Sequence, residues 1–450
     1  MDLLYKLNWR LLKAREYPGI HQKVKELREE GNLSPHKWRA LRNRRLYQLL
    51  AFCREHVSYY RPTLKHIELN ENDNEIAEKM NGIPLMTKAT IRQRLDDLMS
   101  DKVDRSRIIE NATGGSTGVP LKFYQDQAYQ TMAVAIDACV REWWGIKPYD
   151  RVASVWGADR EFRELSFKER IYQYLSNTKS LNAFRMTEQS LLEFCHELKK
   201  WHAPYLMGYS SALEALARCA QKNDIHDLKF KAIRSSAEIL WPHQRTLIHE
   251  CFNSPVYNFY GSREVNNIAA ECPEENRLHM ISAWRYIEVV DGEGQPVPDG
   301  ESGYIVVTDL TNYTMPFIRY RNEDMGRISK ELCPCGRPSP VLEEILGRST
   351  DLIRTPKGNI IHGEFFTHLF YGQNEIRQFQ VHQKSLDHII LRYIANTEPS
   401  EALINKITGK IRAQIGENVR LDIEACNEIP LLASGKHRFT ISDVRETDIT

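Results

Sequence analysis

The run Asn111-Ala112-Thr113-Gly114-Gly115-Ser116-Thr117-Gly118-Val119-Pro120 sets three glycines, two threonines and a serine between the apolar Ile108-Ile109 and the strand-like Leu121-Lys122-Phe123-Tyr124. Glycine lets a backbone approach an anion with no Cβ in the way, and the hydroxyls donate to phosphate oxygens. No Gly-Lys-Ser/Thr follows the glycines, so this is not a Walker loop, and the spacing is not that of a dinucleotide fingerprint. Alone, the run also reads as an ordinary Gly/Ser turn. A second concentration of reactive groups is Cys333-Pro334-Cys335, with Cys272 and His279 upstream. Three cysteines and a histidine form a sensible tetrahedral set for Zn²⁺, and four protein ligands leave no open position, so such a metal would brace the fold. The Cys-x-Cys spacing is shorter than that of the usual zinc finger. The competing reading is that Cys272 and His279 simply pack beside a polar turn. Cys53, Cys139, Cys195, Cys219, Cys251 and Cys426 read as core residues.

These groups need elements to hold them. Residues 1–60 read as helical, with breaks expected at Pro18-Gly19, between Gly31 and Pro35, and at Pro62-Thr63. Thr87 is a plausible N-cap for a helix from Lys88, and Tyr129 to Trp144 has helical spacing. The middle alternates in the manner of βα units: strand-like Val152 to Gly157, Tyr205 to Tyr209, Phe230 to Ser235 and Val256 to Gly261. Ser210 or Ser211 is expected to cap a helix from Ala212 to Gln221, and another helix starts near Pro242. From about residue 278 hairpins follow, with Tyr286 to Val290 and Gly303 to Thr308 joined through Asp291-Gly292-Glu293-Gly294. A boundary is expected near Gly347 to Asp351, followed by strands (Gln378 to Val381, His388 to Tyr393) and a helix from Glu401 to Ile415. The expected class is α/β. A large, multi-layered body with a β-rich subdomain takes 1–350, including a helical extension over 1–65, and a small mobile α+β lid takes 351–450.

Sixty-one Lys and Arg against sixty Asp and Glu give a formal charge of +1, so no global basic field argues for nucleic acid. No run of about 18 apolar residues is present, so no transmembrane segment is expected. The N-terminus lacks the features of a secretory signal, and nine scattered cysteines do not read as a disulfide framework, which points to the cytoplasm. The Leu, Trp and Arg content of the first helices leaves peripheral membrane contact open. The choice between monomer and homodimer is likewise open.

Five stretches in order resemble the adenylate-forming superfamily, and within it the phenylacetate-CoA ligase-like, CapK-like branch associated with capsular polysaccharide synthesis. Thr113 to Pro120 is similar to the family's phosphate loop, implying that Thr113, Gly114, Gly115, Ser116, Thr117 and Gly118 wrap the β- and γ-phosphates of ATP. Many members carry Lys where Val119 stands, so cationic help is expected from Lys122 or Arg263. Ser235-Ser236-Ala237-Glu238 resembles the segment between adenine and the acid. In Tyr260-Gly261-Ser262-Arg263-Glu264 the resemblance implies that Tyr260 packs on the base and Glu264 holds Mg²⁺. Pro316 to Asp324 is like the family's Pro-x-Ile-Arg-Tyr-x-x-Gly-Asp stretch, implying Asp324 on the ribose hydroxyls, although Asn322-Glu323 replaces the usual Thr-Gly or Ile-Gly. Gly347-Arg348-Ser349-Thr350-Asp351 matches the hinge, with Arg348 near ribose or phosphate and Asp351 the pivot. Pro430 to Arg438 resembles the lid loop whose lysine, here Lys436, bridges the acid's carboxylate and the α-phosphate. The implied catalytic groups are Lys436, Glu264 and Thr117. The implied activity is activation of a carboxylic acid as acyl-AMP and its transfer to CoA, with transfer to an amino or hydroxyl sugar as the alternative. The acid pocket is expected from Trp156-Gly157, Tyr209 to Ser211 and Ser235 to Glu238.

Overall fold

The structure, a computed structural model, describes residues 11–71, 75–112, 121–156, 176–183, 186–281, 283–348, 353–356, 360–361, 363–370, 373, 375–429 and 438–444. They fall into two compact units. The first comprises the described residues up to Asn322 together with Arg327–Glu344, and the second comprises Glu323–Gly326 and the described residues from Ile345 onward.

In the first unit a short antiparallel pair, β1 (Ile109–Ala112) and β2 (Lys122–Gln125), flanks the glycine-rich run, with Ala112 opposite Lys122. The main sheet then forms from β3 (Val152–Trp156), β4 (Thr178–Asn182), β5 (Tyr205–Tyr209), β6 (Ala232–Ser236), β7 (Val256–Tyr260), β8 (Ala269–Glu271), β9 (Leu278–Met280), β10 (Arg285–Val290), β11 (Ser302–Asp309), β12 (Tyr320–Ile328) and β13 (Val341–Arg348). Their spatial order is β10-β11-β12-β13-β9-β8-β7-β6-β5-β3-β4. The β3 to β7 block is parallel, and pairing turns antiparallel at β7–β8.

Parallel strands need crossovers, and the sequence supplies helices for them. Thr187 opens helix Glu188–Trp201 in a reciprocal box with Ser190, and His202 closes it in a left-handed cap. Helices Ser210–Lys222 and Pro242–Phe252 carry the chain from β5 to β6 and from β6 to β7. Side-chain alternation along each strand feeds two cores. Ala153, Val155, Leu206 and Ile233 pack with Phe194, Leu198, Leu213, Leu216 and Phe252 of these helices on one face. Val152, Tyr205, Ala232 and Tyr257 face the other way, onto Met132, Ile136 and Val140 of helix Gln127–Trp143 and Ile20, Val24 and Leu27 of helix Ile20–Gly31. The result is helix, sheet, helix.

Two local expectations change. Pro62 does not break a helix but begins one, Arg61–Leu64, at the position where proline's missing N–H costs nothing. Neither Ser210 nor Ser211 caps the helix after β5: it starts at Ser210 with Tyr209 as a cap that makes no side-chain bond. Thr87 does cap Lys88–Gln93, and Arg285 to Val290 pairs antiparallel with Tyr304 to Asp309 as the hairpin pattern implied.

The second unit contains β14 (Ile353–Arg354) paired with β15 (Ile360–Ile361), and a four-stranded sheet of β16 (Ile376–Ser385), β17 (His388–Ala395), β18 (Arg420–Ala425) and β19 (Thr440–Ser442) in the order β18-β17-β16-β19. Helix Glu401–Ile415, capped by Ser400, lays Leu403, Ile407, Ile411 and Ile415 against Val381, Leu391 and Leu421.

Candidate active site

In open parallel sheets, ligands gather at the carboxyl ends of the strands. Here those ends are Trp156, Asn182, Tyr209, Ser236 and Tyr260. Trp156 and Tyr209 stack with ring centroids 4.3 Å apart. Ser235 and Ser210 share a 2.6 Å hydrogen bond, and the Ser236 hydroxyl donates to the Phe259 carbonyl at 2.8 Å, tying β6 to β7. Ala237 then turns with φ +66°, and the Glu238 carboxylate accepts from the Ser211 backbone N–H at 2.9 Å. A carboxylate at a helix N-terminus satisfies an orphan donor and meets the positive end of the dipole. Glu238 thus does the capping expected of the serines.

The turn after β7 is closely built. A Cβ on Gly261 would stand 2.9 Å from the Asn267 backbone nitrogen, so a side chain does not fit without a shift. Ser262 and Val265 exchange two bonds of 3.0 Å, from the Ser262 N–H to the Val265 carbonyl and from the Val265 N–H to the Ser262 hydroxyl. This turns Glu264 inward, where it is buried and its Oε1 accepts from the Tyr320 hydroxyl at 2.8 Å. The Tyr260 phenol, at the rim of the same turn, accepts from Asn322 Nδ2 at 2.6 Å. Arg263 is exposed. Beneath the turn, Arg285 donates to the Asn266 carbonyl at 3.0 Å and forms a fully buried ion pair with Asp309 at 2.8 Å. The Tyr129 hydroxyl accepts from the Asn266 N–H at 3.0 Å, and Asn267 Nδ2 donates to the Ala133 carbonyl at 2.6 Å.

Ser236, Ala237, Glu238, Tyr260, Gly261, Ser262, Arg263 and Glu264 therefore follow the ends of two adjacent strands, joined by the Ser236–Phe259 bond. Asp324 is half-buried in β12. The Arg319 of the same motif is structural: it donates to the Ile83 carbonyl at 2.8 Å and the Gly294 carbonyl at 2.7 Å and pairs with Glu288 at 3.1 Å. Lys122 pairs with Glu110 at 2.7 Å on the exposed hairpin. Thr113, Gly114, Gly115, Ser116, Thr117, Gly118, Gly157, Asp351 and Lys436 lie outside the described residues, as does the side chain of Arg348, whose backbone ends β13. Residue types alone could not reveal Tyr320 and Asn322 as partners of Glu264 and Tyr260, because each bond joins residues 56 and 62 apart in the chain.

The cysteine cluster does assemble. Cys272 follows β8, His279 is central in β9, and the Cys333–Cys335 turn precedes β13, all within the first unit. Their ligand atoms lie within 4.8 Å of one another. Cys272 and Cys333 Sγ are 3.8 Å apart, and Cys335 Sγ is 3.3 Å from His279 Nε2. A tetrahedral zinc with bonds of about 2.3 Å to sulfur and 2.0–2.1 Å to nitrogen has S–S and S–N edges of about 3.8 and 3.6 Å. The donor set fits that ion. His279 Nδ1 meets the Ser339 hydroxyl at 3.3 Å, which leaves Nε2 facing the thiols. Burial first, then the Arg337 guanidinium, lowers His279 to about 4, so the imidazole is neutral, as a metal ligand must be. Burial pushes the Cys333 thiol up to about 12. At Cys335 burial acts the same way, but the Arg337 N–H and guanidinium outweigh it and hold the thiol below its ordinary value.

Against known proteins, residues 353–443 match the CapK C-terminal domain family. The chain is 25% identical over 442 residues to protein CapK of Staphylococcus aureus, covering 96% of this chain and 94% of that protein. It is 25% identical over 333 residues to the phenylacetate-coenzyme A ligase of Thermus thermophilus, covering 70% and 72%. Among solved structures, 2-hydroxyisobutyryl-CoA ligase in the postadenylation state, in complex with R3-HIB-AMP, superposes with a TM-score of 0.71 at 20% identity, over 93% of this chain and 92% of that one. The helix–sheet–helix body and small α+β unit are the α/β fold of the adenylate-forming ligases, and the chain is a relative of CapK and of the phenylacetate-coenzyme A ligases, with a match to the CapK C-terminal domain over residues 353–443.

Proposed function

We propose that the chain is an AMP-forming acyl-adenylate ligase that activates a carboxylic acid with ATP and passes the acyl group to CoA. The observation that carries this reading is the turn after β7. An aromatic ring and a buried carboxylate stand at the carboxyl end of a parallel strand, each held from β12, in a relative of coenzyme A ligases. In the first step a carboxylate oxygen attacks the α-phosphorus while the bond from that phosphorus to the α,β-bridging oxygen breaks and pyrophosphate leaves. In the second, the CoA sulfur attacks the acyl carbon and AMP departs. Tyr260 supplies a stacking face for adenine and Asp324 accepts from the ribose hydroxyls. Glu264, with one oxygen already engaged by Tyr320, presents a fixed carboxylate that fits Mg²⁺, whose contribution is to neutralise phosphate charge. Ser236 to Glu238 and the Trp156–Tyr209 stack border the acid. By resemblance, Thr113 to Gly118 hold phosphates, Arg348 a ribose or phosphate oxygen, and Lys436 adds fixed positive charge at the α-phosphate. Cys272, His279, Cys333 and Cys335 hold a structural Zn²⁺.

Among the described residues no helix is long and apolar enough to cross a membrane. The test is acid-dependent exchange of pyrophosphate into ATP across a panel of carboxylic acids, followed by thioester detection with CoA. Absence of exchange with every acid overturns the reading. A second acceptor, an amino or hydroxyl sugar, is favoured by one observation: the match to CapK spans 96% of the chain against 70% for the coenzyme A ligase. Exchange without thioester formation, together with acylation of an amino sugar, would select it.

A further inference from the structure

Strand β12 sends two side chains to the turn after β7, and they come from one face because they are two residues apart. Tyr320, fully buried, holds the Glu264 carboxylate, and Asn322, also buried, donates to the Tyr260 phenol at 2.6 Å. The second bond is the less expected. Tyr260 is the last residue of its strand, with its backbone fixed by the register opposite Ala269 and by the Ile268 N–H on its carbonyl. Those bonds set where the side chain begins, not in which direction the ring points. A bond at the far tip of the ring fixes that direction, because a swing about the Cα–Cβ bond carries the phenol oxygen, which lies on the ring's long axis, away from Asn322. The phenol both donates and accepts, so the pair forms whichever way the amide is turned. A threonine at 322 would carry its hydroxyl one atom short of the amide's reach, and an isoleucine would offer no polar group.

We propose that Asn322 is a positioning residue for nucleobase recognition: it fixes the direction, and so the place, of the Tyr260 ring as a preset platform on which an adenine base stacks. This rests on the reading above that Tyr260 faces the nucleobase. A platform held in place before binding leaves less ring freedom to be lost when the base arrives. Its benefit therefore falls on nucleotide affinity rather than on phosphoryl chemistry.

The test is calorimetric titration of the full chain with AMP and, separately, with magnesium pyrophosphate, for wild type, Asn322→Ala, Tyr260→Phe and the double variant. Tyr260→Phe removes the acceptor oxygen without touching β12, so the bond remains readable if Asn322→Ala folds poorly. Each single substitution is expected to weaken AMP about two- to ten-fold, the worth of one neutral hydrogen bond. The double variant should be no weaker than the worse single, and pyrophosphate, which has no base, should bind unchanged. In steady state KM for ATP of Asn322→Ala should rise in step with its loss of AMP affinity while its kcat stays near wild type. AMP affinity untouched by either change, effects that multiply in the double variant, or equal losses for pyrophosphate would each overturn the inference. A wild-type chain that binds no AMP would instead sink the functional reading, and the inference with it.

Discussion

Removing the zinc proposed for the Cys272, His279, Cys333 and Cys335 cluster is the sharpest perturbation the structure offers. The cluster joins three places: the end of β8, the middle of β9 and the turn before β13, where His279 lies opposite Val341 in the sheet. These strands sit between the parallel block and β12, in the order β12-β13-β9-β8-β7. The clamps on Tyr260 and Glu264 thus run from one side of this bridge to the other. Structural zinc binds zinc-finger peptides with about 10–16 kcal/mol near neutral pH, comparable with the whole net stability of a domain at about 5–15 kcal/mol. Here the surrounding sheet already gathers the ligands, so only part of that energy is returned as stability. Even about 3 kcal/mol of it amounts to roughly 6–12 °C in a domain of 150–250 residues, and to rather less in this larger body.

The assay is metal analysis of protein purified without chelator, followed by melting before and after treatment with a strong zinc chelator, repeated on Cys335→Ser. One zinc per chain is expected, with a fall in melting temperature of about 5 °C or more on chelation. The variant is expected to carry little zinc and to melt low without chelator. Acid should mimic chelation, because thiols must lose protons to bind and protonation competes with the metal. The reasoning fails if wild-type protein incubated with zinc and desalted holds none, or if chelation leaves the melt unmoved while removing a bound metal.

Other consequences follow from single contacts. Tyr320→Phe removes the hydroxyl from Glu264 and leaves the ring, so pyrophosphate exchange should need more Mg²⁺ for half-saturation by about two- to ten-fold; an unchanged magnesium titration counts against Glu264 as the metal's carboxylate. Lys436→Ala should lower exchange by orders of magnitude while AMP still binds, read by exchange and calorimetry. Arg141 and Arg234 flank half-buried Asp137; burial alone would raise its carboxyl, but the two guanidiniums hold it below its ordinary value. A depressed carboxyl contributes stability above its unfolded pKa of about 3.9 that is lost as pH falls through the folded value, so Asp137→Asn should flatten the acid limb of the stability profile below about pH 4.

Strands that are short, apolar and followed by helical spacing were legible, so Tyr205 to Tyr209 in the parallel block, and the helix Glu401 to Ile415 in the second unit, coincide with the elements expected from pattern alone, whereas β4, Thr-Lys-Ser-Leu-Asn, carries no such pattern and was not expected. The turn from Tyr260 to Glu264 was legible for a similar reason: an aromatic, a glycine and a carboxylate sit in a few consecutive residues. What pattern could not convey was anything depending on which strands become neighbours. Tyr320 and Asn322 reach the turn only because the sheet doubles back through β13, β9 and β8. Glu238 displaces the serines as helix cap because β6 ends beside β5, and in sequence Ser210 and Ser211 are the nearer candidates. The buried Arg285–Asp309 pair beneath Asn266 joins the two strands of a hairpin, and its role in bracing the turn appears only when that hairpin is packed.

The segments that carry the candidate groups share one further property that ties the local chain to the site. Ala237, Asn267, Arg319 and Glu323 all hold positive φ, at +66°, +55°, +49° and +72°. Asparagine tolerates this region, but an alanine, an arginine or a glutamate in it costs about 1–2 kcal/mol. Glycine would be the cheaper choice at each, so the side chains must return something. For Arg319 the return is visible: Glu288 and the carbonyls of Ile83 and Gly294 take up its guanidinium in a site closed to water. Ala237 has no polar atom to offer, and its value lies in the turn itself, which brings the Glu238 carboxylate back to the Ser211 N–H. Strain of this kind persists only where the surrounding bonds over-determine the backbone. Around Asn267 they do, with Asn266 and Asn267 together bonded to Tyr129, Arg285 and the Ala133 carbonyl. The turn from Tyr260 to Asn267 is therefore rigid before any ligand arrives, as a site that works by presenting fixed charge and a fixed ring requires.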